Sequence, residues 1–204
     1  MSFRKSIALV FVSLLIATVA AAETYVVDKT HSEVGFRVRH IVSKVPGSFN
    51  QFSGTFTFDP AAVKTAKVGE VVENASVEFT IDASSIDTDN SDRDNHLRSQ
   101  DFFWVEKHPE LTFKSTKIQK IAGDNFDVWG TLTMRGIEKP VKIDVAFLGT
   151  ATDPWGNDKA GFQATTKVNR KDFDMVWNKA LDQGGTILGE EVSIEIDLEL
   201  NKKK

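Results

Sequence analysis

The chain has 204 residues, a formal net charge of −4, no cysteine, and 15 Phe and 4 Trp against 1 Tyr. The absence of thiols excludes thiolate catalysis, disulfides, Cys-held metals and iron–sulfur clusters, and the acidic balance disfavours nucleic acid or anionic membrane surfaces as partners. With so few polar-tipped aromatics, the composition favours apolar interior surface.

Met1 to Lys5 carries Arg4 and Lys5, Ile7 to Ala20 is almost wholly apolar, and Ala20-Ala21-Ala22 has the small-residue pattern of a cleavage site. Residues 1–22 are therefore expected to be a signal peptide cleaved after Ala22. The apolar run is short for a membrane span, and no Cys follows it to accept a lipid. Residues 23–204 then form one domain of 182 residues with 23 basic and 29 acidic side chains, a formal charge of −6. That length buries a sizeable core without disulfides.

From Tyr25 onward, strand patterns dominate. Tyr25-Val26-Val27 opens the domain and Asp28 to Thr30 turns. Val34, Phe36 and Val38 alternate with Gly35, Arg37 and Arg39, the period of a half-buried strand. Pro46-Gly47 reads as a turn. Phe52, Gly54, Phe56 and Phe58 alternate again, and a glycine there suggests a bend or bulge. Pro60 to Val68 is a connection with room for one helical turn, leading to the alternation Ala75, Val77, Phe79, Ile81.

Ser91 to Phe113 reads as a short helix, then a knot of aromatics, then a Pro-terminated turn. Ser91 followed by Asp94 fits a hydroxyl-capped helix start, and Asp92 and Asp94 suit the positive end of its dipole. Phe102, Phe103 and Trp104 form the densest aromatic cluster, and Pro109 ends any helix. A short apolar-anchored helix among strands is expected to plug one end of a sheet or barrel.

Leu111 to Ile121 is a further strand. Phe126, Val128, Gly130, Leu132 and Met134 share a face, Arg135 to Pro140 is expected to turn, and Val141 to Phe147 alternates. Phe162, Ala164, Thr166 and Val168 follow the turn at Asp153 to Asp158. Asn169 to Gly189 is irregular, and Val192 to Leu200 alternates without a fault. About eight strands with turn signals, and no crossover helix, predict an all-β antiparallel sandwich or barrel.

His31, His40, His96 and His108 show no metal-ligand spacing. No Gly-x-Ser-x-Gly elbow or Gly-rich phosphate loop occurs. Carboxylate pairs such as Glu190-Glu191 lie on strand edges and turns, where solvated acids are ordinary. A barrel of about eight strands has room for side chains or for one ligand, and an apolar lumen and a filled core both fit the pattern.

An ordered set of motifs resembles the YceI-like family. It runs Asp28-x-x-His31-Ser32-x-Val34-x-Phe36-x-Val38-x-His40, then Gly47-x-Phe49-x-x-Phe52-x-Gly54. Next come Ser85-Ile86-x-Thr88 and Arg93-Asp94-x-His96-Leu97-x-Ser99-x-Asp101-Phe102-Phe103. His108-Pro109-x-Leu111-Thr112-Phe113-x-Ser115, Gly130-x-Leu132-Thr133-x-x-Gly136 and Arg170-x-Asp172-Phe173 complete it. Asp174 stands where the family often has Gly, which bears on the local turn.

The resemblance implies an eight-stranded antiparallel lipocalin-like barrel with short helical elements near its mouth. It implies a periplasmic carrier rather than an enzyme, with a long-chain amphiphile as ligand: a polyisoprenoid, an isoprenoid quinone or a fatty-acid-like lipid. No cofactor or metal is implied. The lumen candidates are Phe36, Val38, Phe52, Phe56, Phe79, Ile81, Phe113, Val128, Leu132, Met134, Phe162, Val168 and Phe173. Arg39, His40, Arg93, His96, Arg98 and Arg170 are candidates for a polar head group, since arginine suits bidentate phosphate contacts. The alternative for the arginines is a structural network with neighbouring Asp residues. Two other readings stay open: an exported enzyme acting on a lipid-like substrate, and a filled barrel that partners a membrane redox protein. A homodimer is compatible with each.

Overall fold

The computed structural model describes residues 22–182 and 184–204. The expected signal peptide lies outside these residues but for Ala22. Eleven strands pair antiparallel in one sheet that closes on itself. Three of the barrel's eight ribbons are each broken in two. The first is β1 (Glu23–Val27) with β2 (Glu33–His40), the second β3 (Ser43–Phe49) with β4 (Phe52–Phe58), the third β5 (Ser76–Asp82) with β6 (Ile86–Asp87). The other five are unbroken: β7 (Glu110–Ala122), β8 (Asn125–Met134), β9 (Ile137–Thr152), β10 (Asp158–Asn169) and β11 (Leu188–Lys202).

Pairings show why the halves belong together. β1 joins β4 and β2 joins β3, while β11 pairs β2 through Leu188 to Asp197 and β1 through Leu200 to Lys202. β4 joins β5 and β3 joins β6. The break between β1 and β2 is set locally: Asp28 Oδ1 accepts from Thr30 N at 3.1 Å and caps a single 3-10 turn, Lys29–His31. Helix α1 (Pro60–Thr65) covers one end of the barrel, capped by Asp59 with Pro60 as its first residue, a position where a missing N–H is harmless. Helix α2 (Ser91–Arg98) lies at the other end, beside β6.

Three local expectations are corrected. The helix cap is Asn90, whose side chain accepts from Arg93 N at 2.9 Å; Ser91 is the first helical residue. The Asp94 carboxylate turns back to Thr88 instead, accepting from its N at 3.0 Å and from its Oγ1 at 2.5 Å. Pro46-Gly47 is strand rather than turn: Pro46 faces Arg37 and Gly47 faces Phe36, and the chain reverses at Ile41, φ 51°. β3 pairs with β6 only at Ser48 and Phe49, an edge situation that accepts proline. Likewise the turn after β8 is only Arg135-Gly136, both with positive φ, and Pro140 stands in β9 opposite Thr131. The β9–β10 ladder stops at Asp144, so Pro140 also sits where its strand lacks a second partner.

Asp174 closes the 3-10 turn Arg170–Phe173 in the left-handed region, φ 59°. Glycine does this without strain, and Asp is among the side chains that tolerate it. The departure from the family pattern therefore keeps the turn.

Candidate functional site

The barrel interior holds an apolar cavity of about 120 Å³ in the half nearest α1. Its wall comes from seven ribbons: Phe56 and Phe58, Val77 and Phe79, Phe113 and Ile118, Phe126 and Val128, Ile143 and Val145, Phe162 and Ala164, Ile196 and Leu198. Val63 of α1 and Ala75 lie over the end, and Thr57 and Ser76 are the polar residues on the lining. No carboxylate, imidazole or amine lines it. An apolar cavity of about 150 Å³ accepts one benzene-sized molecule, so this volume matches one prenyl-sized group.

Aromatic packing shapes the wall. Phe162 stacks on Phe56 at 6.3 Å and meets Phe58 edge-on at 5.4 Å. Phe79 lies between Phe52 at 5.9 Å and Phe56 at 6.3 Å. Glycines let two rings lie flat on the sheet. A Cβ at Gly54 would come 2.6 Å from Phe79 Cδ2, and one at Gly130 would come 2.4 Å from Phe113 Cζ and 2.5 Å from Lys114 O. Gly54 therefore serves ring packing; the β4–β5 register runs through it without the expected bulge.

Of the lumen residues expected from sequence, Phe56, Phe79, Phe113, Val128 and Phe162 line the cavity. Phe52, Met134, Val168 and Phe173 are buried in the continuous core, and Phe36, Ile81 and Leu132 pack against it. Val38 is half-buried opposite Val192. These eight are not on the cavity lining. Toward α2, Phe36 tilts against Phe49 at 5.6 Å and Phe103 meets Phe49 edge-on at 5.6 Å. The aromatic cluster after α2 thus helps fill that half of the barrel.

Sequence alternation missed one lining residue, Ile118, because of a bulge. In β7 the register shifts between Ser115 and Lys117 and again between Lys120 and Ala122. The first shift moves the inward face from Phe113 to Ile118 and Lys120, since one extra residue flips every later side chain. In β9 the shift opposite Gly161/Phe162 ejects Leu148, which is 67% exposed. Phe58, Phe126 and Leu198 continued alternations already visible in sequence.

The six head-group candidates lie at the α2 end, away from the cavity. Arg93 Nε donates to Thr88 Oγ1 at 2.7 Å and its Nη2 to Thr88 O at 2.5 Å. Arg98 Nε donates to Ser84 O at 2.8 Å and its Nη2 to Ile86 O at 2.7 Å. Arg170 is 3% exposed; its Nε donates to Gly189 O and its Nη1 to Met175 O, while Nη2 has no partner among the described residues. Burial pushes the Arg170 guanidinium below its ordinary pKa. His96 Nε2 lies 2.9 Å from Asp101 Oδ2 and packs edge-on against Trp177. Arg39 is exposed and donates to Ile41 O at 3.0 Å, and His40 is exposed at the end of β2.

One group of potential metal ligands occurs among the described residues: Asp28, His31 and Glu199. Lys159 Nζ already lies 2.8 Å from Asp28 Oδ2 and 2.9 Å from Glu199 Oε1. That ammonium holds the Asp28 carboxyl well below the usual carboxylate range, and a metal ion would have to displace it.

Closed eight-stranded antiparallel pairing, an apolar interior site and helical segments over the ends define a lipocalin-like β-barrel. Residues 25–200 match the YceI-like domain, and the chain belongs to that family. The protein YceI of Escherichia coli is 42% identical over 174 residues, covering 82% of this chain and 84% of that protein. The crystal structure of Burkholderia cenocepacia BcnA is similar with a TM-score of 0.71 and 25% identity, over 85% of this chain and 98% of that one. A structure from Saccharophagus degradans, described as a polyisoprenoid binding domain, shares the fold with a TM-score of 0.61 and 14% identity, over 88% of this chain and 98% of that one. Among the described residues no helix is long and apolar enough to cross a membrane.

Proposed function

We propose that this protein is an exported, periplasmic carrier that holds one long-chain amphiphile with its apolar tail in the barrel lumen. The observation that carries this reading is the cavity inside the barrel, whose lining is apolar but for Thr57 and Ser76. A polyisoprenoid, an isoprenoid quinone and a fatty-acid-like lipid all suit it. The polyisoprenoid-binding description of the Saccharophagus degradans relative supports the same class. The N-terminal apolar stretch before Ala20-Ala21-Ala22 supports export.

The physical account is simple. Each CH₂ removed from water contributes about 0.8 kcal/mol, so one prenyl unit gains roughly 3–4 kcal/mol gross, set against association costs of about 4–15 kcal/mol. Several units are needed for a stable complex. The cavity of about 120 Å³ holds the first, and the rest requires lumen Phe rings to change rotamer. Such a wall discriminates length and width and little else. Nothing on the lining offers an acid, a base or an activated nucleophile, which supports binding rather than catalysis.

Native mass spectrometry of the protein purified from its exported compartment tests this, with denaturing extraction of whatever is bound. A stoichiometric lipid-like mass is expected. A bare chain that also takes up no prenyl or acyl probe overturns the carrier and leaves a filled barrel that acts by contact with a partner.

A further inference from the structure

The buried ammonium of Lys120 faces the lumen beside the cavity. Lys120 stands directly opposite Phe126 in the β7–β8 ladder. Opposed residues of an antiparallel pair project from the same face, and Phe126 lines the cavity. The inward row of β7 therefore runs Ile118, Lys120 after the bulge. Lys120 is 4% exposed, although lysine is almost never buried without a partner.

What surrounds it is sparse for a charge. Its one side-chain hydrogen bond among the described residues is to Val63 O at 3.2 Å. Asp124 Oδ1 is 3.7 Å away on a side chain that is 67% exposed. The Phe126 ring lies 4.4 Å from Nζ. An ammonium has three donors, so this one is incompletely matched. Two of its neighbours, Val63 and Phe126, are themselves on the cavity lining. A tail in the cavity would thus put its polar end within one side chain of Nζ. The backbone of Lys120 is meanwhile fixed on its outer side, since Gly69 N donates to its O at 2.8 Å and its own N donates to Glu70 O at 3.0 Å.

We propose that Lys120 is the head-group anchor of the lumen and selects anionic single-chain amphiphiles, carboxylates or phosphate monoesters, over their uncharged counterparts. This rests on the carrier reading above and deepens it. The anion sits at the α1 end, where it takes the donors that Val63 and Asp124 leave unmatched, and the tail extends through the Phe-lined cavity toward α2. The arginines of α2 play no part in the selection, because they lie at the opposite end of the barrel and their guanidinium groups are engaged by Thr88, Ser84, Ile86 and Asn95.

Paired titrations test this at fixed pH and moderate salt: hexadecanoate against hexadecanol, and farnesyl phosphate against farnesol. The wild-type protein should bind each acid roughly ten- to a hundredfold more tightly than its alcohol, the worth of a charge-assisted hydrogen bond. Lys120→Met, which keeps the length and apolar stem, should abolish the preference, so that each acid binds no more tightly than its alcohol. Lys120→Arg should retain the preference. If only one acid is preferred, that acid identifies the head group. Equal binding of acid and alcohol by the wild-type protein overturns the proposal without touching the carrier, as does a preference that survives Lys120→Met. Should Lys120→Met fail to fold, the neutral Lys120→Gln decides in its place: loss of the preference is expected, and its survival overturns the proposal. Failure of all four probes to bind overturns the carrier reading itself, and this inference with it.

Discussion

Arg98 Nη2 donates to the carbonyl of Ile86 at 2.7 Å. Ser85 O and Asp87 lie on the side of the β6 ribbon that pairs with β3. The carbonyls of Ser84, Ile86 and Thr88 alternate with them, and each is met by a guanidinium of Arg98 or Arg93. Two arginines of α2 therefore take the place of the strand partner that β6 lacks on that side, since β7 begins at Glu110 opposite Asp82, and they satisfy a sheet edge that would otherwise be exposed. Arg98→Ala or Arg93→Ala should lower stability by about 1–3 kcal/mol, or roughly 2–4 °C of melting temperature per kcal/mol, with ligand affinity unchanged. Thermal melts paired with a binding titration check this. A variant that binds weakly at unchanged melting temperature would instead place the head group at α2.

The lumen size can be altered from either side. Ala164 lines the cavity, so Ala164→Leu should fill part of it, weaken tail binding and leave stability the same or higher. Phe162→Ala should cost about 3–5 kcal/mol and shift the preferred chain to longer lengths. Titration with acyl chains of graded length, beside denaturant melts, reads both effects.

Gly130 tests the idea that glycine serves ring packing here. A methyl group at that position meets the Lys114 carbonyl at 2.5 Å as well as the Phe113 ring at 2.4 Å, and backbone does not yield as a side chain does. Gly130→Ala should destabilise by about 1–3 kcal/mol or more and, because Phe113 lines the cavity, should also change ligand affinity. Gly69, where nothing lies within 4 Å of a Cβ but φ is +86°, should respond through backbone strain alone and leave binding intact.

The Asp28–Lys159–Glu199 network fixes the junction between β1 and β2, and it carries a pH dependence. The Asp28 carboxyl is depressed chiefly by its hydrogen bond from Lys159, with further help from His31, Thr30 N and Asn201, against an opposing effect of burial. A depressed folded pKa means its stabilisation is complete above the unfolded value of about 3.9 and is lost as pH falls through the folded value. Lys159 is raised by Asp28 and Glu199, so its share is complete below about 10.4 and is lost at higher pH. Asp28→Asn should cost about 1–3 kcal/mol near neutrality, with the difference from wild type shrinking below about pH 4. Urea midpoints measured from pH 3 to pH 8 test it.

Much of the architecture is legible because period two is local. The alternations at Phe52 to Phe58, Ala75 to Ile81 and Val192 to Leu200 name the inward residues directly, and eight ribbons form as the strand count suggests. Misreadings fall where local signals compete with pairing. Pro46 and Pro140 look like turn residues but occupy strands, because each stands where its strand lacks a second neighbour. Ile118 and Lys120 escape a period-two reading because the bulge before Lys117 is set by pairing with β8, not by any residue pattern in β7.

The sequence by itself determined that the chain is an antiparallel all-β domain with an apolar interior, because alternation fixes which side chains avoid water whatever their partners. Its ordered motifs also determined the family. Only the tertiary structure decided which inward residues surround space and which fill it, and that the free volume lies toward α1 rather than beneath α2. It alone committed the α2 arginines to the edge of β6 and turned Lys120 inward. Those outcomes depend on register, bulges and the meeting of residues far apart in the chain, and no local periodicity encodes them.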